Sequence, residues 1–192
     1  SKLGAEIRTL GEKASFKKAQ DLEGENKFAE SAEQFERFAK MNPQSDLAGI
    51  AYFNAAIDYE KAGLIAASIL AHQSLLSRKD KSVEKYKGQS RRILAKLLHE
   101  SGRIEEAARA YWTAGFEADK DLSANLFFNA ALLFQALGKN AEAIKNYEEY
   151  YRRTEKSDKA EALFEIASLY SSSGNSSAAI QKYREYIDQP NA

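Results

Sequence analysis

Apolar and polar positions along this chain follow the period of amphipathic helices, and the pattern repeats. Phe53-Asn54-Ala55-Ala56 recurs unchanged as Phe128-Asn129-Ala130-Ala131, and each tetrapeptide is followed seven residues on by a glycine, Gly63 and Gly138. Anchored there, five units align. A small residue stands at Ala19, Ala56, Ala95, Ala131 and Ala167. Three positions later comes a large apolar one, Leu22, Tyr59, Leu98, Phe134 and Tyr170. A turn residue follows at Asn26, Gly63, Gly102, Gly138 and Gly174, then a second small residue at Ser31, Ser68, Ala107, Ala143 and Ala179. A ring closes each unit at Phe35, His72, Tyr111, Tyr147 and Tyr183. The units step by 37, 39, 36 and 36 residues.

The small residue and the large one after it share a helix face. Gly, or Asn in the first unit, can take the left-handed conformation that stops a helix. A second amphipathic helix then begins, whose small residue lets the two helices approach closely. A hairpin alone cannot bury its apolar face, and stacked hairpins can. The predicted repeats cover residues 12–45, 49–82, 88–121, 124–157 and 160–192 of a single domain, 1–192. Residues 1–11, with Leu3, Ile7 and Leu10 at helical spacing, extend the first helix or are the remnant of a preceding repeat. Gly4 and Gly11 weaken a single continuous helix there. The extra residues of the long steps are expected in the second helices or the loops after them.

Composition points the same way. Among 192 residues there are 32 Ala, one Val (Val83) and three Thr, so helix is favoured over strand. No Cys means no disulfide framework and no Cys-ligated zinc. Twenty-eight basic residues balance 28 acidic ones, which argues against general nucleic-acid binding. No apolar run approaches the ~18 residues of a membrane span, so a soluble protein of the cytoplasm or periplasm is expected. The chain starts Ser1-Lys2 without Met or leader and shows no polar cap after its fifth unit, as a fragment would.

The repeated residues resemble the tetratricopeptide repeat over about residues 12–192. The resemblance implies an all-α, right-handed superhelical solenoid of antiparallel helix-turn-helix repeats, non-catalytic and without a cofactor. The chain departs from that family in its 36- to 39-residue steps, in Ser31 and Ser68 for Ala, in His72 for a hydrocarbon ring, and in a helix-ending Pro only at Pro43 and near Pro190.

In such proteins the first helices line a concave groove that takes a peptide or helix of a partner protein. Carried over unit by unit, Phe16, Phe53, Phe128 and Phe164 share one groove position, and Arg92 fills it in the third unit. Asn54 and Asn129 follow their Phe where the family often holds a peptide backbone by an amide. One turn on lie Gln20, Ile57, Lys96, Leu132 and Ser168. Glu161 and Glu165 make the far end acidic, so a partner segment of mixed charge with apolar anchors would suit it. The same Phe spacing also fits a core between helices, and the Asn could serve structural hydrogen bonds. The clamp by which some family members hold a C-terminal carboxylate lacks its cations here and is rejected.

Between the second and third units, residues 78–96 carry eight basic residues and two acidic ones. Arg78, Lys79, Lys81, Lys85 and Lys87 form a basic connector, a landing site for an acidic partner or a self-repelling exposed loop. Catalytic signatures are absent: no phosphate loop, no H-E-x-x-H and no G-x-S-x-G. His72 falls at a packing position, and His99 has no nucleophile or orienting group beside it. Neighbouring carboxylates such as Glu105-Glu106 and Glu148-Glu149 point about 100° apart on a helix and form no dyad. The reading is a protein-interaction scaffold with no small-molecule substrate. The alternative is a structural subunit of a larger assembly, such as a cell-envelope, motility or secretion complex, contacting partners by its ends or convex face. Self-association through the end repeats is compatible with either.

Overall fold

Five left-handed turns divide the chain into hairpins. Asn26 has φ 59°, and Gly63, Gly102, Gly138 and Gly174 have φ between 68° and 77°. These are the five turn positions of the repeat. Each turn closes in the same way: Lys27, Leu64, Arg103, Lys139 and Asn175 donate their amides to the carbonyls of Leu22, Tyr59, Leu98, Phe134 and Tyr170, all at 2.9 Å. The large apolar residue of the first helix thus also accepts the bond that ends that helix, in a Schellman cap.

The structure is a computed structural model and describes residues 2–189; Pro190 lies outside them. The described residues form ten helices and no strand. The first helices of the hairpins are α1 (Lys2–Gly24), α3 (Ala48–Lys61), α5 (Lys81–Glu100), α7 (Lys120–Ala136) and α9 (Lys156–Ser172). The second helices are α2 (Phe28–Met41), α4 (Ile65–Ser77), α6 (Ile104–Gly115), α8 (Asn140–Arg153) and α10 (Ser176–Ile187). The chain divides into two compact units, one up to Leu94 and one from Ala95 on, with the boundary inside α5.

In the first unit Phe16, Phe35, Phe38, Leu75 and Val83 form the core around Ala19, Ala55 and Ala56. Burying each large side chain contributes about 1.5–3 kcal/mol. The small-residue positions explain how the helices approach. Ser31 and Ser68 stand where the later units have Ala, and their hydroxyls lie 2.9 and 2.8 Å from the carbonyl oxygens of Ala19 and Ala56. Ser is tolerated because each hydroxyl finds the carbonyl of its hairpin's own small residue, twelve positions back. Ser31 is also 2.7 Å from Oδ2 of Asp58, a buried carboxyl on α3. Lys61 Nζ reaches Asp58 at 3.0 Å and Glu23 at 2.7 Å. Burial pushes the Asp58 carboxyl up, against the pull of Ser31 and Lys61.

One close approach fixes the packing of α3 against the start of α5. A Cβ on Gly49 would stand 1.9 Å from the Ser82 carbonyl oxygen, so only glycine fits. The 39-residue step is taken up here, in extra turns at the start of α5, and not in a second helix or its loop. The supposed basic connector is therefore mostly helix: only residues 78–80 lie between α4 and α5. Likewise α1 runs unbroken through Gly4 and Gly11, with Leu3, Ile7 and Leu10 exposed along it.

In the second unit Phe127, Tyr147, Leu163 and Ile166 are fully buried with Ala131 and Ala167. Phe127 lies against Gly115, where an added Cβ would meet the ring at 2.8 Å. Asp119 caps α7 by accepting the Leu122 amide at 3.2 Å.

Candidate protein-interaction site

The Phe position of the first helices meets the ring positions of the second. Phe16 packs edge-on against Phe35 and Phe38, with centroids 5.1 and 5.5 Å apart. Phe53 meets His72 at 6.2 Å. Phe128 meets Tyr147 at 6.1 Å and Tyr150 at 5.0 Å. Phe164 meets Tyr183 at 5.9 Å and Tyr186 at 5.7 Å. Each Phe thus clasps its own hairpin, which is the core role that the spacing also allowed. Exposure rises along the series. Phe16 is buried, Phe53 and Phe128 are half-buried, and Phe164 is 46% exposed.

The first unit offers Phe53, Asn54 and Arg92 on α3 and α5, all half-buried. Tyr86, from the added turns of α5, stacks on Phe53 at 5.2 Å, and Lys85 Nζ lies 4.9 Å from the Tyr86 ring. Tyr86 had no place in the repeat alignment. Of the basic residues, Arg78 is structural: it donates to the Pro43 carbonyl at 2.9 Å and to Asp80 at 2.7 Å, and lies over the Tyr52 ring. Lys87 pairs with Glu84 at 2.9 Å. Lys79 and Lys81 are exposed.

The second unit offers Lys96, Asn129, Leu132 and Phe164. Lys96 is exposed, 3.7 Å from Glu100. Leu132 is 43% exposed, one turn beyond Asn129 on α7. Neither Asn54 nor Asn129 makes a side-chain hydrogen bond among the described residues. Gln135, which the sequence did not single out, links α7 to α8 and α9. Its Oε1 accepts from the Tyr147 hydroxyl at 2.8 Å, and its Nε2 donates to Glu165 at 3.2 Å. Ser168 is half-buried and Glu161 exposed on α9.

The groups weighed for chemistry are held in structural roles. His72 is buried with Nδ1 2.7 Å from the Ser90 hydroxyl, and burial lowers its pKa to about 4. His99 lies edge-on to Tyr111 at 6.1 Å. Glu105 holds Arg109 and Lys139, Glu106 holds Arg103, and Glu149 holds Arg152 and Arg153. No cluster of His, Asp or Glu among the described residues could hold a metal ion. No helix among them is long and apolar enough to cross a membrane.

Repeated helical hairpins with half-exposed aromatic and amide side chains on their first helices define a protein-interaction scaffold. The chain belongs to the tetratricopeptide repeat family, whose model matches residues 16–83 and 128–192. That family is in general a non-catalytic interaction fold. The fold is similar to that of MamA, 14% identical, with TM-score 0.54 over 93% of this chain and 91% of the other. It is also similar to a MamA fragment from Desulfovibrio magneticus RS-1, 8% identical, with TM-score 0.52 over 94% and 97%. YrrB, described as a TPR protein with an unusual peptide-binding site, is 15% identical, with TM-score 0.53 over 92% and 86%. No curated protein matches the sequence.

Proposed function

We propose that the first-helix faces bind a peptide or helical segment of a partner protein. The observation that carries this is the pairing of Asn129 with Leu132. An amide without a partner stands one turn from an exposed Leu, inside a helix where Asn is locally unfavourable. Asn54 beside Phe53 offers the same amide in the first unit. An amide can give and take one backbone hydrogen bond each, while an apolar neighbour anchors a side chain. The fold likeness to YrrB supports the reading. Phe53, Asn54, Arg92, Lys96, Phe128, Asn129, Leu132 and Phe164 are the proposed contact residues. Phe16, buried, contributes by holding α1 on α2, and the basic residues Lys79, Lys81 and Lys85 supply positive charge beside the first unit's face.

A specific observation favours the second reading, an assembly subunit contacting partners by another face. Trp112 and Phe116 on and after α6 are exposed, edge-on at 5.6 Å, with Phe116 resting on Phe127 at 4.9 Å. An affinity pull-down from the source organism's lysate separates the two. Wild type is compared with Asn129→Ala/Leu132→Ala and with Trp112→Ala, each checked for retained helicity. A partner lost with the first variant supports the groove. A partner lost only with Trp112→Ala overturns it in favour of the outer face.

A further inference from the structure

Some glutamates of the second unit are paired with a cation among the described residues and others, Glu142, Glu148 and Glu155 among them, are not. Glu105, Glu106, Glu149 and Glu185 each hold a Lys or Arg of the chain. Glu161 and Glu165 on α9 have no cation within ion-pair distance among the described side chains. Glu165 is fixed by the Gln135 amide, which supplies no charge. The two negative charges also reach inward: with burial as the larger cause, both help raise the Tyr147 hydroxyl's pKa. On the same α9 face, between the two acids in sequence, Phe164 is 46% exposed, and Leu132 is exposed on α7, one turn before the Gln135 that reaches Glu165.

We infer that this face of α7 and α9 takes a partner segment carrying a Lys or Arg beside a large apolar side chain. The cation is set against Glu161 and Glu165, and the apolar group lies on Leu132 and Phe164. The inference rests on the groove reading above and adds the partner's chemistry. An acidic segment would meet two uncompensated carboxylates, and a purely apolar one would leave them partly desolvated without a partner; both are disfavoured. A basic segment gains long-range attraction on approach, and such charges act chiefly on association rate and salt dependence.

The test selects a display library of random short peptides on the intact chain at low salt. The recovered peptides are then measured against two variants. Asn129→Ala/Leu132→Ala removes the groove contacts, and Glu161→Gln/Glu165→Gln removes the charge while keeping shape and the acceptor for Gln135. The expected peptides carry Lys or Arg next to Leu, Ile, Phe or Trp. They weaken about tenfold on Glu161→Gln/Glu165→Gln and weaken as NaCl is raised. Peptides that need Asn129 and Leu132, yet are neutral or acidic and indifferent to Glu161→Gln/Glu165→Gln, overturn this inference and leave the groove standing. Peptides that ignore both variants, or no recovered peptides, overturn the groove reading with it.

Discussion

His72 makes the first unit sensitive to acid. It occupies the ring position filled by Phe35, Tyr111 and Tyr147 in other repeats, fully buried, with Nδ1 on Ser90 and Nε2 without a partner. Protonation would place a charge where no carboxylate receives it, and burial lowers the pKa from 6.5 to about 4. The folded state then binds fewer protons than the unfolded one between those values. Stability therefore falls as pH drops through 6.5 and levels off near 4. The full loss is about 3 kcal/mol at ~1.4 kcal/mol per pKa unit, and about 2 kcal/mol is gone by pH ~5. Asp58, whose pKa is raised, acts in the opposite direction, so the wild-type curve alone does not isolate the effect. The comparison is with His72→Phe, which borrows the side chain of Phe35. Urea unfolding followed by circular dichroism from neutral pH to pH ~4 gives both curves. The difference between wild type and variant should shift by about 3 kcal/mol over that range. Parallel curves would refute the assignment of a neutral, buried His72. So would NMR titration showing its ring protonating near pH ~6.5.

Two further outcomes follow from packing. Gly49→Ala should cost about 3 kcal/mol or more, because its Cβ meets backbone at Ser82 and a main-chain carbonyl cannot rotate away. Gly88→Ala, in the same unit with nothing within 4 Å of the added Cβ, should instead stabilise by about 0.5–1 kcal/mol; thermal unfolding of the pair checks the contrast. Ser31→Ala should cost more than Ser68→Ala, about 2 against about 1 kcal/mol, because only Ser31 also serves the buried Asp58 carboxyl. Equal midpoints in urea would remove Ser31 from that role.

The hairpins were legible because local rules set them. The alignment named all five turn residues, and each has the positive φ that ends its first helix. The paired small residues were legible for the same reason, since close approach demands them. What escaped the sequence depends on pairs far apart along the chain. The added turns of α5 looked like a loop because their charge and Gly88 masked the helical period; Gly49 against Ser82 settles their place only in three dimensions. Tyr86 on Phe53 and Gln135 on Glu165 are partners thirty or more residues apart, for which no spacing rule exists. The Phe positions could be either core or groove on spacing alone. The structure divides them by exposure, from buried Phe16 to half-open Phe164.

The Schellman turns also bear on how quickly the chain can organise. Each draws its closing bond from residues five apart, and in the first two hairpins a hydroxyl meets a carbonyl only twelve positions away. Such short loops close in roughly 10–100 ns, long before distant segments can find one another. A hairpin can thus begin to form as soon as its second helix exists, without waiting for the rest of the chain. A nascent polypeptide of this sequence would leave the ribosome with its first hairpins assembling in the order of synthesis, each offering the next a ready surface.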